Sequence, residues 1–190
     1  MQAAATLEPV RTRTGVPNAV LGILIVIGAE LMFFAGLISS YLVNRISSRV
    51  PWPPVDQPRL PVGVTAVNTA ILLISGLMLY LAASGRVRTE RRLNVARIAV
   101  LLGAVFLVIQ GTEWVRLIGF GITVHSSLFG SFFYTLIGAH GLHVLGGILA
   151  ILPILYRKQM PAQGTMSAAA LYWYFVVLIW PLLYFLLYLL

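Results

Sequence analysis

The chain has 190 residues, of which 59% are hydrophobic and 9% are charged, and its mean hydropathy is +0.94. A soluble domain has about 25% charged residues, so this composition leaves too little polar surface for a water-soluble globule and predicts an integral membrane protein. Its net charge of +8 comes from basic residues that lie between apolar segments, which indicates membrane topology and no nucleic-acid partner. The absence of cysteine excludes disulfides and thiol catalysis.

Five segments are long and apolar enough to cross a bilayer, because about 20 apolar residues span the hydrocarbon as a helix. The predicted spans are roughly 18–44, 62–84, 93–119, 127–156 and 168–190, all in a single membrane domain. Residues 1–17 are expected to form a polar tail before a retained first span, rather than a cleaved signal peptide. The predicted fold class is therefore all-α, an integral membrane bundle of five transmembrane helices.

The connections and the small residues add detail to this bundle. The segment VPWPPVDQPRLP holds five of the ten prolines and is predicted to be an extended surface loop. Trp52 in that loop is expected to anchor at the membrane interface. The aromatic-rich stretch at 171–190 is expected mainly to contact lipid. Close helix packing is predicted at glycines of the second, third and fourth spans, namely Gly76, Gly103, Gly111, Gly138, Gly141, Gly146 and Gly147.

Basic residues at the ends of the spans predict the orientation. With the N-terminus in the cytoplasm, eight bases lie inside: Arg11, Arg13, Arg86, Arg88, Arg91, Arg92, Arg157 and Lys158. Four bases then lie outside: Arg45, Arg49, Arg59 and Arg116. Arg97, just inside the third span, can reach the cytoplasmic face along its aliphatic stem. This distribution predicts a cytoplasmic N-terminus and a periplasmic C-terminus.

Two acidic residues lie within the spans, where a charge is costly and requires a reason. Glu30 lies near mid-membrane and has two interpretations: a protonated carboxyl bonded to a neighbouring helix, or a carboxylate that handles protons or ions. Glu113 lies toward the outer end of the third span. Arg116 is one helical turn away, which favours a local ion pair or an interhelical hydrogen bond over catalysis.

His140 and His143 lie on one face of the fourth span, together with Leu136 and Gly147. Two histidines one turn apart on the same helix cannot ligate a haem iron from opposite sides, which argues against haem. Glu30, Glu113, His140 and His143 could instead converge on zinc or iron. However, the Glu-x-x-His pairs of a carboxylate-bridged di-iron bundle are missing.

Interhelical hydrogen bonding is therefore the favoured role of the two imidazoles, with each ring nitrogen reaching a carboxylate, hydroxyl or carbonyl. Asn68 and Thr69 open the apolar run of the second span. They can satisfy backbone groups or bridge to a neighbouring helix. No phosphate-binding loop, nucleophile triad or dinucleotide fingerprint occurs in the sequence.

The order of these motifs, over nearly the whole chain, resembles subunit III of the haem–copper cytochrome c oxidases. The matching stretches are GAELMFFAG, PWPP, LPVGVTAVNTAILLISG, QGTEW, GSFFYTLIGAHGLHVLGG and AAALYWYFVVLIW, in the family's order. The chain lacks a counterpart of the first spans of the fuller family form and is similar to the short bacterial form. Where the family has His and Asp in its closing helix, this sequence has Tyr174 and Val177.

The resemblance implies an accessory subunit of a respiratory terminal oxidase in the bacterial inner membrane, with no haem or copper of its own. Haem and copper are expected in the partner subunits I and II, and cytochrome c or a quinol is the expected electron donor. The subunit would pack beside subunit I, stabilise it during turnover, support proton uptake and hold a phospholipid. By position, Glu30 matches the family's mid-membrane carboxylate, and Glu113, His140 and His143 match its polar bundle positions.

Three alternatives stay open at this stage. One is a related subunit that accompanies a nitric oxide reductase. The second is a free-standing membrane metal protein that uses Glu30, Glu113, His140 and His143. The third is a small proton-coupled transporter that uses Glu30.

Overall fold

A computed structural model describes residues 16–49, 51–54, 60–156 and 162–190. Within these ranges the chain is all-helical: α1 is Asn18–Ser47, α2 is Val62–Ala83, α3 is Thr89–Gly119, α4 is Leu128–Leu155 and α5 is Gln163–Tyr184. A π-helical turn, Phe185–Leu189, extends α5. All five helices are long and apolar enough to cross a membrane, which confirms the predicted helix bundle.

The orientation of the bundle across the membrane stays a prediction; one end of the bundle carries Arg45 and the other carries Arg86. The Arg45 end carries the C-terminal end of α1 and the N-terminal end of α2. The Arg86 end carries the connection from α2 to α3. The polar tail and five of the bases used to predict the orientation lie outside the described residues: Arg11, Arg13, Arg59, Arg157 and Lys158.

Two helices begin earlier than their hydropathy suggests. α3 begins at Thr89 rather than near 93, and α5 begins at Gln163 rather than near 168. A helix can continue beyond the apolar layer because its backbone hydrogen bonds are internal. In α3 the first turn also carries Glu90, and an acidic side chain is favourable at the positive end of a helix dipole.

Arginines close two helices at the Arg86 end. Arg92 donates from Nε to the carbonyl of Ala82 at 2.8 Å and from Nη2 to that of Ala83 at 3.2 Å. Arg97 donates to the carbonyl of Leu155 at 3.0 Å. The last carbonyls of a helix have no partner within the helix, so these side chains satisfy the C-terminal ends of α2 and α4.

α5 lies at the centre of the bundle, where it packs against α1, α2 and α4. Its indole rings at Trp173 and Trp180 are fully buried. The sequence-based expectation that this aromatic stretch mainly contacts lipid is therefore wrong. The error arises because lipid and a helix interior are equally apolar, so hydropathy does not distinguish a lipid-facing aromatic ring from a core one.

Glycines allow the helices to approach α5 closely. A Cβ placed on Gly147 would lie 2.9 Å from Cε3 of Trp173, and one on Gly76 would lie 3.0 Å from Cγ1 of Val177. Gly111, in contrast, has no atom within 4 Å of its Cβ position among the described residues. Close packing predicted from glycine content therefore holds at some positions and not at others.

Trp52 packs against aromatic rings of the bundle, and its position at the membrane interface stays a prediction. Its ring lies 5.8 Å from Phe129 and 5.9 Å from Tyr41, and its Nε1 donates to the Tyr41 hydroxyl at 3.3 Å. That hydroxyl donates in turn to the carbonyl of Leu186 at 3.0 Å. The α1–α2 loop is thereby joined through α1 to the end of α5.

Candidate functional site

The centre of the candidate site is a contact between α1 and α4. His143 Nε2 lies 2.8 Å from Glu30 Oε2, and His143 Nδ1 lies 2.6 Å from the carbonyl oxygen of Ala139 one turn earlier. The side chains are partly covered, with 16% of His143 and 29% of Glu30 exposed. The structure therefore brings together two of the residues that the sequence marked as candidates.

This geometry fixes how protons are arranged in the pair. A carbonyl oxygen only accepts, so Nδ1 of His143 carries a hydrogen. Nε2 of a neutral imidazole is then an acceptor, and a contact of 2.8 Å with Oε2 requires one proton between them. Glu30 and His143 are either both neutral or form an ion pair, and the pair has no net charge in either state. This neutrality lowers the cost of placing a carboxyl and an imidazole within the membrane.

Aromatic rings hold the imidazole of His143 in this position. The Phe34 ring lies edge-on at 5.1 Å, and the Phe33 ring is stacked at 6.1 Å. Phe34 is itself fully buried against Phe175 of α5, with ring centroids 6.2 Å apart. The pair is thus fixed by packing on one side and remains partly open on the other.

A cleft of about 510 Å³ lies beside the pair, toward the Arg86 end. It is formed by α1, α4 and α5, and its walls include Val26, Gly146, Gly147 and Tyr172. Val26 is one helical turn from Glu30, and Gly146 and Gly147 are one turn from His143. The cleft therefore reaches within one turn of both members of the pair.

His140 behaves differently from His143. It is 1% exposed, and among the described residues neither ring nitrogen has a hydrogen-bond partner. Its ring is stacked on Trp180 at 4.8 Å and lies edge-on to Phe106 at 5.9 Å. The expected hydrogen bonding of both imidazoles is therefore correct for His143 and wrong for His140, because α5 presents an aromatic face where a polar partner was expected.

Glu113 forms the local ion pair suggested by its spacing. Its Oε1 lies 3.0 Å from Nη1 of Arg116, which is three residues later in α3. The carboxylate is buried whereas the guanidinium is mostly exposed. The long side chain of Arg116 thus places its charged group at the bundle surface while it pairs with the buried carboxylate of Glu113.

A chain of buried polar groups joins α2, α3 and the end of α5. Asn68 Nδ2 donates to Oε1 of Gln110 at 3.3 Å and to the carbonyl of Phe106 at 3.2 Å. Gln110 Nε2 donates to the hydroxyl of Tyr188 at 3.2 Å. The prediction singled out Asn68 but missed Gln110 and Tyr188. Gln110 could have been found as a lone amide within the apolar run VIQG.

The two buried tryptophans are each bonded to a hydroxyl of α2. Trp180 Nε1 donates to Thr69 Oγ1 at 2.9 Å, and Trp173 Nε1 donates to Ser75 Oγ at 3.1 Å. Ser75 donates onward to the carbonyl of Ala99 at 2.6 Å. Thr69 therefore bridges to a neighbouring helix, as one of its two predicted roles required.

The four ionisable candidates do not form one centre. Glu30 contacts His143 and Glu113 contacts Arg116, while His140 is enclosed by aromatic rings. In the part of the chain that the structure describes, no group of three or more His, Asp or Glu side chains is placed to hold a metal ion. Of these side chains, only Glu30 and His143 form a polar contact between two helices of the described chain.

These features define a class of protein: a bundle of five helices that are long and apolar enough to cross a membrane, joined by buried polar contacts between helices. The model of the family "Cytochrome c oxidase subunit III" matches residues 2–190. The chain belongs to this family, which confirms the resemblance seen in the sequence.

Named relatives agree with this assignment. The chain is 39% identical over 173 residues to a probable cytochrome c oxidase subunit 3 of Nocardia farcinica, covering 86% of this chain and 84% of the relative. It is 39% identical over 176 residues to a protein of the same name from Mycobacterium leprae, covering 88% and 86%. It is 35% identical over 178 residues to cytochrome c oxidase subunit 3 of Synechocystis, covering 89% and 74%.

Proposed function

We propose that this chain is the accessory subunit III of a respiratory haem–copper oxidase, that it packs beside subunit I and that it supports proton uptake during oxygen reduction. Its family makes it a subunit of a membrane oxidase complex. Haem and copper belong to partner subunits I and II, cytochrome c or a quinol supplies the electrons, and the complex lies in the bacterial inner membrane.

The observation that carries the proposal is the Glu30–His143 contact near mid-membrane. Glu113, whose partner Arg116 lies on the same helix, is almost fully enclosed. Glu30 instead stays partly exposed beside an open cleft, and it shares one proton with an imidazole. A pair of this kind can accept or release a proton with a small change in position, which is the property required near a proton path.

The surface of α1 supports an attachment role. α1 packs mainly on α5, and the greater part of its length is exposed. Gly22, Gly28 and Gly36 have no atom within 4 Å of their Cβ positions among the described residues. Small residues allow close helix approach in membranes, so these positions are available to a helix of another subunit.

The complex itself provides the test. The chain is purified from its native membrane in mild detergent, the absorption spectrum is recorded and the partners are identified by peptide mass spectrometry. We expect co-purification with a haem-bearing oxidase subunit I. A nitric oxide reductase as partner would change the complex assigned, and stoichiometric zinc or iron on the chain without partners would favour a membrane metal protein.

The proton role requires a separate measurement. Proton uptake coupled to single-turnover oxygen reduction is compared in wild type, Glu30→Gln and Glu113→Gln. We expect slower uptake in Glu30→Gln only, because Gln donates to Nε2 of His143 but cannot release a proton. Equal uptake rates in all three proteins would leave the attachment role and contradict the proton role. Transport by the chain alone in liposomes would instead favour a transporter.

A further inference from the structure

The cleft beside Glu30 and His143 is kept open by small side chains. Glycine or alanine accounts for seven of the twelve residues that line it. They come from all three helices, with Gly22 on α1, Gly146 on α4 and Ala168 on α5 as examples. A cleft of about 510 Å³ has room for on the order of ten water molecules, at ~30 Å³ each. Its size therefore permits a connected row of water molecules.

Polar side chains lie at the two ends of the cleft. Thr165 lies in the first turn of α5, at the Arg86 end, and Tyr172 lies seven residues further along the helix. Seven residues are almost two helical turns, so the two side chains lie on one face of α5 and ~10 Å apart along its axis. The cleft thus leads from the Arg86 end of the bundle to the hydroxyl of Tyr172.

Tyr172 stands between the cleft and the Glu30–His143 pair. Its hydroxyl oxygen lies 3.8 Å from the Cβ position of Gly146, and its ring carbon Cε1 lies 3.3 Å from that of Gly147. Both glycines are about one helical turn from His143. The hydroxyl is also near enough to Glu30 on α1 for the two groups to interact electrostatically. Three titratable side chains from α1, α4 and α5 therefore lie close together at the inner end of the cleft.

A tyrosine hydroxyl has the chemistry that a proton relay needs. It donates one hydrogen bond and accepts others at the same time. A water molecule in the cleft can therefore give a proton to the oxygen of Tyr172 while the hydroxyl proton passes to the carboxylate of Glu30. The tyrosine is neutral before and after this transfer, so no charge has to stay on it in the apolar interior. A phenylalanine would keep the ring and lose the relay.

We propose that Tyr172 relays protons between water in this cleft and Glu30, so that protons reach the Glu30–His143 pair from the Arg86 end of the bundle. The proposal rests on the proton role proposed for Glu30, and it adds the residue that delivers the proton and the side from which it comes. It is supported by the open cleft, by the hydroxyls at its two ends, and by the position of Tyr172 close to both members of the pair.

Proton uptake by the intact complex tests the relay. Uptake coupled to single-turnover oxygen reduction is measured in wild type, Tyr172→Phe and Tyr174→Phe. Tyr174 is the matched control, because it lies two residues away on α5 and contacts Tyr80 of α2 on the other side of the helix. We expect uptake about tenfold slower in Tyr172→Phe, which corresponds to ~1.4 kcal/mol in the barrier, and unchanged uptake in Tyr174→Phe. Retention of the subunit should be the same in both variants, because each keeps its ring.

Glu30→Gln, measured in the same assay, separates the relay from the function on which it rests. Slow uptake in Glu30→Gln with wild-type uptake in Tyr172→Phe would overturn the relay and leave the proton role of Glu30. Wild-type uptake in both variants would overturn the relay together with that proton role. Equal slowing in Tyr172→Phe and Tyr174→Phe would also overturn the relay, because the effect would not depend on the cleft.

The water in the cleft is tested by the reactivity of introduced cysteines. The chain has no cysteine of its own, and a charged thiol reagent reacts with the thiolate, which forms where water reaches the sulfur. Val26 lines the cleft, whereas the preceding residue, Ile25, is 68% exposed and does not line it. In the intact complex we expect Val26→Cys to react roughly tenfold faster than Ile25→Cys. Equal rates at the two positions would show that lipid or protein fills the cleft, and would overturn the proposal.

Discussion

A Cβ atom on Gly103 would lie 2.6 Å from both Cη2 and Cζ2 of Trp173. The indole of α5 thus occupies the position that a side chain on α3 would need. This contact joins two helices through a residue with no side chain and a residue with the largest one. This close contact explains why Trp173 is completely buried, although its helix is as apolar as a helix that faces lipid.

Substitution at Gly103 should therefore destabilise the bundle. We expect Gly103→Ala to lower the stability of the subunit by ~1–3 kcal/mol, the usual cost of overpacking a filled core. Gly111→Ala is the matched control on the same helix, since its Cβ position is open among the described residues. The stability of both variants is measured by heating the purified complex and recording the fraction of the subunit that stays bound at each temperature. Equal losses in the two variants would contradict the packing explanation.

The Glu30–His143 pair predicts different outcomes for its two members. His143→Ala removes the contact between α1 and α4 and should loosen subunit attachment, at ~0.6–1.7 kcal/mol for the hydrogen bond alone. Glu30→Gln keeps a donor toward Nε2 and should retain the subunit, with a milder effect on activity or on its decay during turnover. The measurements are subunit stoichiometry after a detergent wash and oxygen consumption over time.

The haem spectrum serves as the control for both variants. We expect it to be unchanged, because neither residue is proposed to touch a redox centre. Bleaching of the haem bands in His143→Ala or Glu30→Gln would show that the pair affects the cofactor site. That result would contradict a role limited to attachment or proton handling.

His140 should tolerate an apolar aromatic replacement better than His143 does. His140→Phe keeps the ring stacked on Trp180 and removes two nitrogens without hydrogen-bond partners among the described residues. We expect a stability change below ~1.5 kcal/mol, as for a conservative core substitution. His143→Phe, measured in the same thermal unfolding assay, should cost more. A larger loss in His140→Phe would indicate a polar role for that imidazole.

The hydrogen bond between Trp180 and Thr69 can be measured by a double-mutant cycle. Trp180→Phe and Thr69→Val each remove one partner of the 2.9 Å contact. Their coupling energy should be ~0.6 kcal/mol, the average for interhelical bonds in membranes. A cycle of Trp180→Phe with Ser75→Ala supplies the control, since Ser75 is bonded to Trp173 instead. No coupling in the first cycle would show that the contact contributes nothing to stability.

Much of the fold follows from the sequence because apolar length determines a membrane helix almost by itself. The ion pair of Glu113 with Arg116 was also predictable, since both residues lie on one helix at a fixed spacing. Contacts between helices were harder to predict. The interpretations of Glu30 included a bond to a neighbouring helix, but nothing in the spacing selected His143 over His140 as its partner.

The two histidines show why this limit exists. They are three residues apart on α4, so they point about 60° apart around the helix axis, from its 3.6 residues per turn. One faces α1 and meets a carboxyl, whereas the other faces α5 and meets an indole. The rotation of α4 about its own axis decides which histidine faces α1 and which faces α5. That rotation depends on all the packing contacts together.

The central position of α5 has a consequence for biogenesis. Synthesis runs from the N-terminus, so α1 to α4 are made before α5, which packs against three of them. Before α5 is in place, Thr69 and Ser75 lack the indole groups that donate to them. The glycines of α3 and α4 likewise lack the ring of Trp173 against which they pack. We therefore expect the bundle to be loosely packed until α5 joins it, because α5 contacts α1, α2 and α4.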